Sequence, residues 1–402
     1  MPAMQFTADQ HLLKDLNRMA IVRHLSAQPG QSRAALAEAL QLTKSTVSTL
    51  VKELIAEGWL LEREVVATGE LGRRPTPLFI DPGRLVLLGA ELGVDGVHAV
   101  ATSLTGDVLA RLRSPLDAGR DPHLALVRAA KLLVQLQARL DATRQQVIGI
   151  GFGLPGGVDE SCGHLHFAPN LGWRDLPVGQ LMTEHLRGSP LQAVPLFIQN
   201  EADVAALGEL EFGTDGRADP LIYLSLGIGV GAGVIVEDRL LTGARGLAGE
   251  VGHMTLALDG PRCSCGRRGC AESMIGLRAM LPSADEAGGL PEVQRRLAAG
   301  QADCTQAVAQ AGRYLGLLLG NLCAAYDPGR IVLGGPAVEL GPPFLDHALA
   351  TLQDLAGDAG EPTPAVTRSR FGADAVPVGA AALARYRLTR PLITARRLAV
   401  AA

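Results

Sequence analysis

Hydrophobic residues in the first sixty positions recur at the three- and four-residue spacing of amphipathic helices. We predict one helix over 12–27, a second that follows Ser32 as N-cap and ends at Leu40, and a third that follows Thr43 as N-cap. Gly58 is expected to end the third helix. The apolar positions of this third helix form one core-facing stripe, Val47, Leu50, Val51, Leu54 and Ile55.

The opposite face of the third helix carries short polar and basic side chains, namely Lys44, Ser45, Thr46, Ser48, Thr49 and Lys52. Such side chains can approach base edges and phosphates with little steric bulk, as in the recognition helix of a helix-turn-helix. An ordinary solvated face is the alternative interpretation of this helix taken alone.

A β-hairpin is predicted next, with strands over 61–68 and 77–80 and a tip over 69–75. The tip contains Arg73 and Arg74, which resemble the basic arms that enter a narrow minor groove. Three helices and a basic hairpin make a winged helix-turn-helix, so we predict that residues 1–84 bind double-stranded DNA. Plain surface charge is the alternative for the two arginines.

From residue 86 the pattern changes to apolar strands, glycine-rich turns and helices. A three-strand meander, a helix and a strand are predicted over 86–92, 97–102, 108–113, 123–140 and 147–152. A comparable order recurs over 221–226, 232–237, 304–326 and 331–333. This duplication predicts an α/β fold of two lobes, 85–200 and 201–402, with a ligand cleft between them and the last helix packed back on the first lobe.

A cysteine run lies within the second lobe and indicates a metal site. His253, Cys263, Cys265 and Cys270 supply the imidazole and three thiolates of a closed tetrahedral zinc site. Gly266 and Gly269 allow the short loop to turn around one ion. Buried thiols or redox partners are the alternative. The other three cysteines, Cys162, Cys304 and Cys323, are interpreted as small core residues.

Composition narrows the class of protein further. The chain has 402 residues, of which 47% are hydrophobic, so it can bury more than one core. It contains neither an apolar run of about 18 residues nor a signal-peptide pattern, so we expect a cytoplasmic protein without membrane insertion. Residues 1–84 carry ten Lys and Arg against nine Asp and Glu. This segment is therefore nearly neutral overall, and any positive charge that binds DNA must be concentrated on one part of its surface.

Several segments of the body resemble the ROK family (repressors, open reading frames, kinases). They are residues 153–158, 169–173, 200–203 and 249–253, and the cysteine run followed by Glu272. The resemblance extends over essentially the whole chain and implies an actin/hexokinase-like (ribonuclease H-like) fold, a homodimer or homotetramer, and a monosaccharide in the cleft. It also implies the sugar-binding residues, which are Gly156, Asn170, Asn200, Glu201, Glu250, His253 and Glu272. His253 can serve two shells, with one ring nitrogen on zinc and the other facing the sugar.

Two departures from the kinases of this family argue against phosphoryl transfer. Those kinases resemble this chain but carry an aspartate as catalytic base where this chain has Glu201, and a displaced carboxylate slows proton transfer. Their phosphate loop, Asp-x-Gly-Gly-Thr, matches residues 91–95, where Val94 and Asp95 replace the glycine and the hydroxyl. A negative charge at that point repels polyphosphate. The glycines at 227–233 and 334–335 are retained.

The sequence therefore predicts a sugar-responsive transcriptional regulator, a repressor of genes for carbohydrate uptake or catabolism, with a structural Zn²⁺ and no catalytic residue. Two alternatives remain at this stage. One is an ATP-dependent sugar kinase with a DNA-binding appendage. The other is a regulator controlled by a partner protein, such as a component of a sugar phosphotransferase system.

Overall fold

The structure is a computed structural model that describes residues 10–63, 76–116, 121–141, 145–214, 216, 218–281, 289–357 and 363–391. Its first part comprises α1 (Gln10–Ala27), α2 (Arg33–Ala39), α3 (Lys44–Glu57), β1 (Leu60–Glu62) and β2 (Leu78–Ile80). The two strands pair in antiparallel fashion. The three predicted helices and the base of the hairpin are thus confirmed, whereas Arg73 and Arg74 at its predicted tip lie outside the described residues.

Local signals define the ends of these helices. Ser32 Oγ accepts a hydrogen bond from Ala35 N at 3.2 Å, and Thr43 Oγ1 accepts one from Thr46 N at 3.1 Å, as expected of N-caps. Gly58 ends α3 with φ of 90°, in the left-handed region that favours glycine. The predicted stripe of α3 is buried except for Ile55, which is half-buried.

The first lobe is a five-stranded sheet with helices on its faces. Its elements are β3 (Leu85–Leu92), β4 (Gly96–Ser103), β5 (Val108–Pro115), α4 (Pro122–Asp141), β6 (Gln146–Leu154), β7 (Gly157–Asp159), β8 (His164–Ala168), β9 (Trp173–Leu176), α5 (Val178–Leu186), β10 (Leu196–Asn200) and α6 (Glu201–Phe212). The sheet order is β10-β6-β3-β4-β5, and β7, β8 and β9 form a separate small sheet. The meander β3-β4-β5 is antiparallel, while β6 and β10 run parallel to β3.

The second lobe repeats this arrangement. Its elements are β11 (Leu221–Leu226), β12 (Val230–Val236), β13 (Arg239–Leu240), α7 (Ala271–Ile275), α8 (Gly289–Ala298), α9 (Ala302–Tyr326), β14 (Arg330–Gly334), α10 (Pro342–Ala356), β15 (Ala365–Arg368) and α11 (Ala375–Leu388). Its sheet order is β13-β12-β11-β14-β15. Taken from the opposite edge, the order of the first lobe is β5-β4-β3-β6-β10, and the two orders match strand for strand, which confirms the predicted duplication. Although α9 has 25 residues, no helix of the described ranges is both long and apolar enough to cross a membrane.

Two buried helices, α6 and α11, lie between the sheets. They pack on each other, and α11 lies against β3 and β6 while α6 lies against β11 and β12. The two helix backbones approach closely because Gly208 faces Gly379, where a Cβ on Gly208 would lie 3.1 Å from the Gly379 Cα. The first residue of α6 follows β10 directly and faces the space between the lobes, where the candidate site lies.

Candidate functional site

The seven residues expected to bind sugar line a single cleft. This cleft holds about 690 Å³ of space, part of it open to solvent. The residues come from both lobes and from loops far apart in the sequence, and they are Gly156, Asn170, Asn200, Glu201, Glu250, His253 and Glu272. The structure thus brings the predicted set together at one place, and the role of each residue remains a prediction.

Asn200 anchors one wall of the cleft. Its Oδ1 accepts a hydrogen bond from Ala202 N at 2.8 Å, so Asn200 is the N-cap of α6. Its Nδ2 donates to the backbone oxygen of Gly156, also at 2.8 Å. Gly156 has φ of 92°, and a Cβ there would overlap the backbone of Phe167. One amide therefore ties the Gly156 loop of the first lobe to the helix that presents Glu201.

Several carboxyl groups crowd into the cleft and change one another's ionisation. Burial raises the pKa of Glu201 to about 8, helped by the negative charges of Glu91, Glu250 and Glu272. Burial also raises the pKa of Glu250, whereas His253 opposes this rise and Glu272 adds to it. At neutral pH Glu201 is mostly protonated and can donate a hydrogen bond. Donors and acceptors together suit a ligand made of hydroxyl groups.

We expect Glu201→Gln to make the protein more stable than the wild type at alkaline pH. The raised pKa means that the unfolded chain loses the Glu201 proton near pH 4.5 while the folded chain keeps it to about pH 8. The free energy of unfolding of the wild type therefore falls as pH rises through this window. Glutamine does not ionise, so the variant does not lose stability in this way.

The measurement is the difference in unfolding temperature between variant and wild type, recorded by calorimetry from pH 5 to pH 9 without sugar. This difference should grow with pH and level off above about pH 8. Glu184→Gln changes an exposed glutamate of α5 and serves as the control, with a flat difference. A flat difference for Glu201→Gln as well would contradict the raised pKa.

His253 lies between the cleft and the cysteine run. It ends a 3₁₀ turn, Val251–His253, that follows Glu250. Its Nδ1 is 3.7 Å from Cys263 Sγ, while its Nε2 is 3.8 Å from a carboxylate oxygen of Glu250. One ring nitrogen therefore faces the thiols and the other faces the cleft, which is the geometry that a histidine shared by a metal and a sugar requires.

The cysteine run and His253 form a possible metal site. The ligand atoms of His253, Cys263, Cys265 and Cys270 all lie within 4.8 Å of one another. Cys265 Sγ and Cys270 Sγ are 3.7 Å apart. Two sulfurs bound to one tetrahedral zinc at about 2.3 Å lie about 3.8 Å apart, so the spacing fits. Gly266 and Gly269 have φ of 90° and 65°, as the predicted loop requires.

The thiol chemistry of this cluster also fits a cation. Burial raises the pKa of Cys263. Burial, together with hydrogen bonding to Cys265 and the charge of Cys263, raises the pKa of Cys270 to about 12. Adjacent thiols of this kind do not all ionise on their own, whereas a divalent cation stabilises the thiolates and displaces the protons. The residues present can therefore hold a metal ion.

Glu272 connects the cluster to the cleft. Its Oε1 accepts hydrogen bonds from Ser264 Oγ at 2.8 Å and from Cys263 Sγ at 3.7 Å. Val230 N, at the start of β12, donates to its Oε2 at 3.4 Å. The carboxylate therefore contacts the metal loop, the second sheet and the cleft at once.

Sequence reasoning missed two polar residues that also line the cleft, Ser264 and Asp203. Asp203 is buried, and within the described residues its Oδ1 has no hydrogen-bond partner. Burial raises its pKa well above the ordinary value, and the charges of Glu160 and Glu250 add to this. The available signal for Asp203 was an acidic side chain two residues after Glu201 in the same segment, and for Ser264 its place between Cys263 and Cys265.

One cysteine prediction is wrong. Cys304 is buried and Cys323 is half-buried, as core residues should be, but Cys162 is exposed. Cys162 lies in the turn between β7 and β8, where its Sγ is 4.0 Å from the backbone oxygen of Asp159. Its immediate neighbours are Ser161 and Gly163, and the nearest apolar residues, Val158 and Leu165, lie in the two strands on either side of the turn.

The candidate DNA-reading face lies on α3. Four of its six described residues are exposed, and Thr46 and Ser48 are half-buried; the exposed ones are Lys44, Ser45, Thr49 and Lys52. Thr46 Oγ1 lies 2.8 Å from the capping hydroxyl of Thr43, and Thr49 donates to the backbone oxygen of Ser45 at 3.1 Å. The hydroxyl groups near the start of α3 thus form hydrogen bonds within the helix, while Lys44 and Lys52 add positive charge to its exposed face.

The segment that matches the kinase phosphate loop follows β3. Val94 is half-buried and packs against the core of the first lobe, and Asp95 is exposed. Glu91 Oε2 is 3.6 Å from His98 Nδ1 on the neighbouring strand. A branched apolar side chain and a carboxylate therefore occupy the turn that resembles the kinase phosphate loop in sequence.

Comparison with known proteins identifies the body. Residues 87–387 match the family model described as ROK family. The chain belongs to the ROK family. Residues 15–70 match the MarR family, and this segment includes most of α1 together with α2, α3 and β1. The ROK body and the front module together confirm the fold class inferred from the resemblance.

Three relatives illustrate the range of this family. The xylose repressor of Caldicellulosiruptor bescii is 31% identical over 353 residues, which cover 83% of this chain and 86% of that protein. A ROK family transcriptional regulator, homologous to E. coli MLC, has a TM-score of 0.77 at 23% identity and covers 96% of this chain and 99% of its own. A ROK family glucokinase from Streptomyces griseus, solved with glucose and AMPPNP, has a TM-score of 0.60 at 25% identity and covers 75% of this chain and 99% of its own.

Proposed function

We propose that this ROK protein is a sugar-responsive DNA-binding transcriptional repressor of carbohydrate uptake or catabolism genes. The observation that carries the proposal is the combination, in one chain, of an exposed polar and basic helix face with a cleft lined by convergent carboxylates, amides and an imidazole. The similarity to a xylose repressor over most of both chains supports it.

The effector in this proposal is a monosaccharide bound in the cleft, and D-xylose is the first candidate because of that relative. Sugar hydroxyls each donate and accept, so a specific site needs several polar groups at fixed positions. A site of this kind rejects analogues that lack a hydroxyl, since its buried carboxyl groups would then remain unpaired. In this proposal Glu201, Glu250 and Glu272, which line the cleft, make this discrimination.

The metal in this proposal is a structural Zn²⁺ held by His253, Cys263, Cys265 and Cys270. When bound, such an ion supplies folding energy to its loop and fixes the ring of its histidine ligand. The chain itself then orients Nε2 of His253 toward the cleft beside Glu250. The zinc thus acts on the sugar through His253 and not by direct contact.

DNA binding in this proposal uses α3 in the major groove, with Lys44 and Lys52 on phosphates and the short hydroxyl side chains near base edges. The predicted wing arginines, Arg73 and Arg74, would enter the neighbouring minor groove. A homodimer or homotetramer would present two such modules to half-sites about one helical turn apart. A phosphotransferase-system protein remains a possible additional partner.

A kinase is the second candidate because ROK glucokinases share the body and because the glycines of 227–233 are retained. Glu201, Val94 and Asp95 at the positions of the kinase base and phosphate loop argue against it. A coupled assay of ADP release with D-xylose, D-glucose and N-acetyl-D-glucosamine separates the two. Turnover above background that Glu201→Gln abolishes would replace the repressor proposal with the kinase.

The direct test is a titration of duplex DNA, selected by this protein from a random pool, with and without each of these sugars. We expect at least one sugar to bind the protein in calorimetry and to weaken DNA binding by roughly 5- to 150-fold, the usual range of allosteric coupling. DNA affinity that is indifferent to every sugar that binds would contradict the sensor proposal. Absence of sequence-selective DNA binding would contradict the repressor itself.

A further inference from the structure

One buried arginine connects the DNA-reading module to the ROK body. Arg385 lies near the end of α11, and its Nη2 donates to Ser26 Oγ in the last turns of α1. Its Nη1 donates to the backbone oxygen of Glu211 at 2.7 Å, and its Nε is 3.6 Å from a carboxylate oxygen of the same residue. The Arg385 side chain is only 4% exposed. The guanidinium of Arg385, which belongs to α11, therefore contacts both α1 and the end of α6.

Further contacts fasten the same junction. Arg23 of α1 donates to the backbone oxygen of Thr389, just beyond α11. Arg390 donates to Glu211 Oε1 at 2.7 Å. Buried apolar side chains of α1 and of the ROK body also belong to one continuous core. The end of α1 is thus held by Arg385 of α11 and by the backbone of Thr389, and Arg385 and Arg390 in turn hold Glu211 at the end of α6.

The helix α6 has its two ends at the two functional regions. Its first residue, Glu201, and its N-cap, Asn200, line the cleft, while Glu211 lies in its last turn at the junction. Twelve residues of α-helix span about 18 Å. Nearly all of α6 is buried, and the close contact of Gly208 with Gly379 locks it against α11. A displacement at the cleft end is therefore transmitted to Glu211 with little bending.

We propose that Arg385 is the positioning residue that couples the sugar cleft to the DNA-reading module. This inference rests on the proposed function and names the contact through which that function is regulated. When the lobes close on a sugar, α6 moves with Asn200 and Glu201, and Glu211 moves with them. Arg385 follows Glu211 and its hydrogen bond to Ser26 changes, which alters the placement of α1 and so of α3. Small helix shifts at interfaces are a known means of such switching.

Two variants of the full-length protein test this contact. Arg385→Lys keeps the charge beside Glu211 but cannot reach several partners in the fixed geometry of a guanidinium. Ser26→Ala removes only the hydroxyl that Arg385 contacts on α1, which leaves the buried charge pair intact. Arg370→Lys is the matched control, because Arg370 also binds the end of α6, at the backbone oxygen of Phe212 (3.1 Å) and Thr214 Oγ1 (3.2 Å). Within the described residues its hydrogen bonds do not reach α1.

The measured quantity is the ratio of DNA dissociation constants with and without saturating D-xylose, on the duplex selected by the wild type, or with whichever of D-glucose and N-acetyl-D-glucosamine binds instead. In the wild type we expect the roughly 5- to 150-fold ratio of the proposed function. In Arg385→Lys and in Ser26→Ala the ratio should fall toward 1, while calorimetry shows sugar affinity close to that of the wild type. Arg370→Lys should keep the wild-type ratio.

The outcomes distinguish a failure of the inference about Arg385 from a failure of the proposed repressor function. A wild-type ratio retained in Ser26→Ala, with sugar and DNA both bound, overturns the role of the Arg385 contact and leaves the repressor proposal standing. A loss of coupling in Arg370→Lys equal to that in Ser26→Ala also overturns it, because the effect would then be a general loosening of α6. If no sugar binds the wild type, or no duplex is selected, the proposed function fails and the coupling with it.

Discussion

Cys265→Ser is expected to lose both the metal ion and most of the affinity for sugar. Cys265 is one of the four ligands that converge within 4.8 Å, and a serine hydroxyl is a poor replacement for a thiolate on zinc. Without the ion, the ring of His253 is no longer fixed between Cys263 and Glu250. We expect sugar affinity to fall on the order of 10- to 100-fold, the usual effect of disturbing residues that orient a site.

The measurements are metal content by mass spectrometry, about one zinc per chain in the wild type, and sugar affinity by calorimetry. Cys265 is itself exposed, so loss of core packing does not explain an effect. Cys162→Ser is the matched control, because Cys162 is also exposed but lies outside the cluster, and it should change neither quantity. A Cys265→Ser protein that lacks zinc yet binds sugar normally would separate the metal from the cleft.

Combined Lys44→Glu and Lys52→Glu substitutions should nearly abolish DNA binding and leave sugar binding unchanged. Both lysines are exposed on α3, so the substitutions disturb no core contact. In the proposed DNA complex, each substitution replaces a cation at a phosphate with an anion that repels it. DNA affinity is expected to fall on the order of 100-fold or more. Log affinity falls as log salt concentration rises, and the magnitude of this negative slope should decrease by about 2.

Fluorescence anisotropy on the selected duplex at several salt concentrations measures both effects. Lys131→Glu is the control, since Lys131 is an exposed lysine on α4 of the ROK body and its replacement also makes the net charge more negative. It should leave DNA affinity almost unchanged. Equal losses in the control and the α3 variant would indicate a general effect of net charge and contradict the assignment of α3 as the reading helix.

The sequence was sufficient where structure depends on neighbours along the chain. The N-caps Ser32 and Thr43 and the helix end at Gly58 are hydrogen-bonding or backbone requirements satisfied within four residues. The apolar stripe of α3 follows directly from helical periodicity. The cysteines of the Cys-Ser-Cys run converge because they lie in one short loop that turns at Gly266 and Gly269. The same local reasoning failed at Cys162, because apolar neighbours in sequence do not determine which side of a turn faces solvent.

The resemblance of sequence motifs to the ROK family also predicted residues that line the cleft, but it did not determine how those residues ionise. The seven expected sugar contacts do lie around one cleft, since the duplicated lobes bring their loops to the same place. Ser264 and Asp203 escaped notice, because a serine between two cysteines and an acid two residues after Glu201 are local signals that do not show which side chains face that space. The pKa of Glu201, about 8, depends on burial and on three carboxylates from other segments.

By itself, therefore, the sequence determined the winged helix-turn-helix, the duplicated lobes and the cluster of one histidine and three cysteines, because each arises from short-range geometry or repeats a recognisable order. Only the tertiary structure decided that His253 has one nitrogen toward the thiols and the other toward Glu250. It alone also showed that Ser26, Glu211 and Arg385 meet. Contacts between residues hundreds of positions apart arise from how the helices pack, and no periodicity along the chain records them.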